Sequence, residues 1–197
     1  MKRIFILLSL CLIGIGSFAQ KPIPYSENDV KQFYRTIQGD YTGNLNDSTS
    51  ASIHFTPIWE REDDRFHWLY MEAVNTTTKE VLAQNVIEIK PISDISFRVI
   101  VHGLNNPQMF EGKWSNRNFF DGYTTSILKG KAKYLFMKTK DFEYQTSWYK
   151  RKLFKCFPSG EKLHFKFVQE DERFYIKRLE KGTSHLIGYT FFKAPTD

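Results

Sequence analysis

The sequence predicts an all-β protein, an antiparallel barrel preceded by one short helix. Apolar and polar residues alternate with period two along most of the chain, short turn sequences separate the alternating segments, and only one segment has helical spacing. Aromatic residues make up 16% of the 197 residues, and they can line an enclosed interior. An antiparallel sheet must protect its edge strands, so closure into a barrel is the expected architecture.

The first 19 residues have the organisation of a secretory signal peptide. Met1-Lys2-Arg3 is basic, residues 4–15 are mainly apolar, and the small residues Ser17 and Ala19 precede a cut after Ala19. The apolar run is short for a membrane-spanning helix, which needs ~20 residues. We therefore expect an exported protein, periplasmic or secreted, with no stable membrane span after cleavage. Residues 20–197 are expected to form a single domain.

Composition and charge exclude several classes of protein. An apolar fraction of 41% excludes a disordered chain. The net charge is +6, but Lys and Arg interleave with Glu and Asp, so no nucleic-acid partner is expected. Removal of the leader removes Cys11 and leaves Cys156 without a partner for an intramolecular disulfide. The histidines are dispersed and no zinc motif is present, so no metal and no cofactor is predicted.

One helix is predicted directly before the first strands. Ser26 is suited to the N-cap position, and Gly39 ends the pattern. Four apolar residues recur between them at helical spacing: Val30, Phe33, Tyr34 and Ile37.

Alternation predicts eight strands in the rest of the chain. They cover about residues 53–59, 66–74, 82–89, 97–102, 142–148, 163–168, 174–176 and 189–192. The interior of such a barrel is either filled by its own side chains or holds one small ligand. The aromatic content agrees equally with both interpretations.

Glu72 is the candidate catalytic residue. It shares one strand face with apolar and aromatic neighbours, so we expect it to point into the barrel interior: Phe66, Trp68, Tyr70 and Val74. A carboxylate there could donate a proton or accept hydrogen bonds from a ligand. The alternatives are a core glutamate satisfied by Arg98 or Tyr70, and a strand face that points outward.

Four further residues are candidates for ligand binding. Trp68, Tyr70 and Gln84 could stack on or hydrogen-bond a planar ligand, although core packing explains them equally well. Arg98 carries the two-pronged donor that suits a carboxylate, with a solvated face as the alternative. Cys156 follows several basic residues, which lower the pKa of a thiol, but a buried unreactive thiol is the simpler expectation.

Several segments together resemble the CpcT/CpeT chromophore lyase family. His67–Ala73 (HWLYMEA) resembles the family's W-L-Y-x-E-Q-A strand, and Leu104–Trp114 (LNNPQMFEGKW) resembles its L-x-D-P-x-x-F-x-G-x-W turn. Ile37–Asn44 lies where the family has L-x-G-x-F-x-N, and Lys155-Cys156 lies where it has a cysteine. The resemblance runs in one order over about residues 30 to 192.

The resemblance implies a calycin-like antiparallel barrel that attaches a linear tetrapyrrole (bilin) to a cysteine of an acceptor protein. The sequence departs from the family pattern at two arginines, replaced within Leu82–Asn85, at a Gly-Cys pair, which is Gly130-Lys131 here, and in the closing motif. Two functions follow: a bilin–cysteine lyase, or a non-catalytic envelope barrel that binds a tetrapyrrole or another small hydrophobic ligand. A filled structural barrel is the third interpretation.

Overall fold

The structure, a computed structural model, describes residues 27–46, 49–60, 67–93, 96–140, 143–146, 162–179, 184 and 186–195. The predicted signal peptide and Cys156 lie outside these residues, as does Phe66. The described residues form one α-helix, ten β-strands and four short 3₁₀ helices.

The helix and the strands follow one another, and the two longest connections join β5 to β6 and β7 to β8. Their bounds are α1 Glu27–Ile37, β1 Gly39–Asn46, β2 Thr49–Ile58, β3 His67–Asn75, β4 Val81–Ser93, β5 Ser96–Leu104, β6 Leu128–Lys140, β7 Glu143–Thr146, β8 Lys162–Val168, β9 Arg173–Leu179 and β10 Leu186–Lys193.

The sheet is an antiparallel barrel in which each strand pairs with its neighbours in the sequence. The first and last strands also pair with each other, with Tyr41 opposite Lys193 and Gly43 opposite Phe191, which completes the ring. The predicted fold class is therefore confirmed: an antiparallel β-barrel with a short N-terminal helix.

Helix α1 closes one end of the barrel. Its apolar face is buried, as the sequence pattern predicts. The positive charge of Arg35 in the last turn interacts favourably with the negative end of the helix dipole. Gly39 then adopts a φ of +114°, a backbone conformation that favours glycine, and the chain enters β1 there. No helix in the described part of the chain is long and apolar enough to span a membrane.

The barrel interior is a packed apolar core. Alternate residues of every strand join the buried face of α1 in one cluster, including Leu69 and Met71 of β3 and Phe165 and Phe167 of β8. A cavity of ≈ 40 Å³ remains between α1 and the strands. The interior is thus filled by its own side chains except for this cavity.

A second apolar cluster lies on the outside of the barrel. The β5–β6 connection, residues 105–127, contains the four 3₁₀ helices (Pro107–Phe110, Lys113–Ser115, Arg117–Gly122 and Thr125–Ile127) and packs on β2 and β3. We call it the cover segment. Its buried residues Phe110 and Phe120 pack against Ile58, Tyr70 and Val86 of the wall.

Candidate functional site

Three of the five predicted site residues meet in one place, but on the outside of the barrel. Tyr70, Glu72 and Gln84 lie beneath the cover segment, whereas Leu69 and Met71 of the same strand belong to the interior cluster. The expectation that Glu72 points into the barrel interior is therefore wrong. Glu72 is nevertheless buried, with 1% of its surface exposed, because the cover segment shields this face from solvent.

The Glu72 carboxylate accepts hydrogen bonds from three neutral donors. Oε2 lies 2.6 Å from the Tyr70 hydroxyl and 3.2 Å from Nε2 of Gln84, and the Gly112 backbone N–H lies 3.1 Å from both carboxylate oxygens. Among the described residues, no Lys, Arg or His side chain forms an ion pair with Glu72. A buried carboxylate is tolerated only when its acceptor sites are used, and here they are used by the wall and the cover segment together.

Tyr70 connects the wall to the cover segment. Its hydroxyl lies 2.8 Å from the Phe110 carbonyl oxygen, a second acceptor beside Glu72, and it accepts a hydrogen bond from Gln84 at 2.9 Å. Burial, followed by the hydrogen bond to Glu72 and its charge, raises the pKa of Tyr70 far above its usual range. Tyr70 therefore remains a protonated donor.

Sequence reasoning did not find two residues that continue this polar arrangement. Asp40, His54, Glu72 and Gln84 stand directly opposite one another on β1, β2, β3 and β4, and we call these four residues the outer polar row. Nδ1 of His54 lies 2.8 Å from Oδ1 of Asp40. No local sequence motif indicates this arrangement, because the four residues are brought together only by the register of the four strands.

Trp114 of the cover segment lies flat on His54. Their ring centroids are 3.7 Å apart with an angle of 7° between the planes, and the Trp114 carbonyl oxygen accepts a hydrogen bond from Thr56 at 2.6 Å. His54 is buried as a result. The outer polar row and the aromatic residues above it therefore act as a joint that fixes the cover segment on the wall.

Of the other two predicted ligand-binding residues, Trp68 packs against the second apolar cluster beside Tyr70, and Arg98 lies elsewhere on the outer wall. Trp68 is half-buried between Trp59 and His102, with ring centroids 5.3 and 5.8 Å away. Arg98 stands opposite Lys90, six positions along β4 from Gln84, which corresponds to about 20 Å. Of the two partners that the sequence offered for Glu72, Arg98 therefore does not pair with it and Tyr70 does.

A buried charged cluster accompanies Trp68. Glu88 accepts hydrogen bonds from Lys90 at 2.9 Å and interacts with Nε2 of His102 at 3.1 Å. Burial raises the pKa of Glu88, but the hydrogen bonds from His102 and Lys90 and their positive charges lower it by more, so its pKa lies below the usual range.

Among the described residues, a cavity beneath α1 offers space to an interior ligand. Side chains of seven strands and of α1 line it, among them Met71, Val99, Phe136 and Phe33. Its walls are apolar, and none of the five predicted site residues contributes to them.

No group of three or more His, Cys, Asp or Glu side chains in the described ranges has an arrangement that could bind a metal ion. The sequence matches no protein-family model and no curated protein.

Proposed function

We propose that this protein is an exported β-barrel that binds a small hydrophobic ligand in its interior, with tetrapyrroles among the ligands to test. The observation that carries the proposal is the apolar cavity at the centre of a wall whose ring of strand pairs is complete. An apolar cavity favours carbon-rich ligands, because burial removes their apolar surface from water.

The size of the cavity constrains how a ligand binds. Sites for drug-sized ligands measure about 300–1,000 Å³, whereas this cavity measures ≈ 40 Å³. The wall is joined by strand pairing throughout, but α1 contributes Phe33 and Ile37 to the cavity and is not part of the sheet. We therefore infer that a ligand larger than a few atoms enters at the α1 end and displaces this helix.

Titration of the purified protein with biliverdin, haem and palmitate tests the proposal. We expect saturable binding of at least one of them, measured by tetrapyrrole absorbance and by a rise in the unfolding temperature. Met71→Phe, which fills part of the cavity, should weaken binding severalfold. Trp68→Phe is the matched control, because Trp68 faces outward on the same strand and should leave affinity unchanged. Absence of binding by all three compounds would overturn the proposal.

Bilin attachment to a protein thiol is the second candidate function. The observation that favours it is a contact between the two segments that most resemble the lyase family, His67–Ala73 and Leu104–Trp114. Tyr70 and Glu72 of the first segment form hydrogen bonds with the backbone of Phe110 and Gly112 in the second. In such a reaction the thiol S–H adds across an exocyclic C=C bond of the bilin: sulfur bonds to one carbon and the proton goes to the other. No external oxidant or reductant is required.

A mass measurement tests this second function. The protein is incubated with a bilin and a cysteine-containing phycobiliprotein subunit, and the acceptor's mass is determined under denaturing conditions. An increase equal to the bilin mass, faster than without the protein, would support the lyase. An unchanged rate would leave ligand binding without catalysis.

A further inference from the structure

Phe33 of α1 occupies a cage of aromatic rings at the mouth of the barrel. Its ring centroid lies 4.7 Å from Phe97, 5.3 Å from Phe136, 5.2 Å from Tyr144 and 5.8 Å from Phe167. These four rings come from β5, β6, β7 and β8, so the cage belongs to the wall and Phe33 is the group that fills it.

A carboxylate of α1 meets a cation beside this cage. Oδ1 of Asp29 lies 3.0 Å from Nζ of Lys138, and their side chains are only 10% and 14% exposed. Asp29 precedes Phe33 by one helical turn, about 6 Å, and thus shares a face with it. Lys138 follows Phe136 by two positions and points to the same side of β6.

We infer that Asp29 and Phe33 occupy the binding site of a hydrophobic carboxylic acid, and that α1 inhibits binding until such a ligand displaces it. The aromatic cage receives the apolar body of the ligand, and Lys138 receives its carboxylate. The inference rests on the proposed binding of a ligand in the barrel interior, and it adds the ligand's chemical class and the element that controls entry.

The attachments of α1 are compatible with release. The ring of strand pairs does not include α1, so the wall keeps its hydrogen bonds when the helix leaves. Near its C-terminal end the Thr36 carbonyl oxygen accepts hydrogen bonds from Tyr41 at 3.0 Å and from Lys193 at 3.2 Å. An isolated helix of 11 residues is not stable in water, so released α1 unfolds.

The apolar surface that α1 buries against the barrel determines which carboxylic acids can displace the helix. Release exposes Val30, Phe33, Tyr34 and Ile37, which are buried in the closed state. A ligand must bury a comparable apolar surface to compensate. We therefore expect palmitate and tetrapyrrole acids to displace α1, and acetate to have no effect.

Limited trypsin digestion reports release of α1, because Arg35 is an exposed cleavage residue within the helix. We expect palmitate to accelerate the cut after Arg35 at least fivefold and saturably, and methyl palmitate to act much more weakly. The cut after Lys79, in the exposed β3–β4 turn, is the internal reference and should not change. Equal effects of the acid and its ester would overturn the inference.

Two variants test the role of the ion pair. Asp29→Asn removes the competing carboxylate and should lower the palmitate concentration needed for half-maximal cleavage. Adding Lys138→Met to that variant should abolish the difference between acid and ester. Persistence of the difference in the double variant would show that another cation binds the carboxylate and would overturn the assignment of Lys138.

The outcomes separate this inference from the proposed function. If palmitate raises the unfolding temperature without accelerating the cut after Arg35, ligand binding holds and displacement of α1 is wrong. If wild type binds nothing but Phe33→Ala or the milder Phe33→Leu binds palmitate, the cage is a site that α1 occupies permanently, which supports the site and overturns the function. If neither wild type nor any variant binds, both are wrong.

Discussion

At the scale of single residues, Glu72 is a structural acceptor and not a group that faces an interior ligand. Its three donors come from β3, β4 and the cover segment, and together they use both carboxylate oxygens. A buried carboxylate is costly, which is why this residue type suggested a chemical role. Here the cost is offset because both carboxylate oxygens accept hydrogen bonds.

Glu72→Gln should destabilise the protein by about 1.5–3 kcal/mol, because the new amide loses charge-assisted bonds and directs N–H groups at other donors. Urea unfolding measures the change. Glu111→Gln is the matched control: Glu111 is exposed next to Gly112, and its replacement should stay within about 0.5 kcal/mol. Interior ligand binding should be the same in both variants. An equal stability of the two variants would contradict the structural role of Glu72.

Glu88 gives a pH-dependent prediction of the same kind. Because its folded-state pKa is lowered from an ordinary value of about 4.5, Glu88 contributes stability above that pH and loses it as the pH falls through the folded-state pKa. Glu88→Gln should therefore be less stable than wild type at about pH 6, with a difference that shrinks by about pH 3.5. Urea midpoints measured at both pH values test this. A difference that grows on acidification would contradict the assigned direction.

At the scale of elements, β3 explains why alternation located the strand but not its inner face. Its central five residues are all buried, since Leu69, Met71 and Ala73 face the interior and Tyr70 and Glu72 face the cover segment. A period-two pattern identifies an inner face only when the opposite face is solvated. The cover segment removes that contrast. Its short 3₁₀ helices have no long-range periodicity of their own, and the sequence indicated only a turn at Pro107.

The joint between the cover segment and the wall can be tested at Trp114. Trp114→Ala removes the ring stacked on His54 and should cost about 1–3 kcal/mol. It should also accelerate hydrogen exchange of the Gly112 amide, whose hydrogen bond to Glu72 depends on the seated cover segment, while amides in β8 and β9 keep their protection. Met109→Ala, an exposed change in the same segment, serves as control and should alter neither. Unchanged Gly112 exchange in Trp114→Ala would show that other contacts fix the segment.

At the scale of the whole molecule, the aromatic fraction reflects two apolar layers, one inside the barrel and one under the cover segment. Eight of the ten strands were predictable from alternation. The sequence of β1 contains Gly39, Gly43 and two asparagines, which conceal its strand character, although Tyr41 and Leu45 do alternate. In the sequence of β6, Lys131 and Lys133 alternate with Ala132 and Tyr134, a pattern that the prediction missed. The outer polar row could not be predicted, because it depends on the register of four strands.

The closure of the ring depends on Gly43, where β1 meets β10. A Cβ at this position would overlap the carbonyl oxygen of Thr190 and lie 2.9 Å from Cδ1 of Phe191, so the two strands cannot approach with any larger residue there. Gly43→Ala should therefore destabilise the barrel by about 1–3 kcal/mol in urea unfolding, with faster exchange of the β1 and β10 amides. Gly188→Ala is the matched control on β10, since a Cβ there meets nothing within 4 Å, and it should be neutral within about 0.5 kcal/mol. If Gly43→Ala were as stable as Gly188→Ala, β1 and β10 could not approach each other as closely as the closure of this barrel requires.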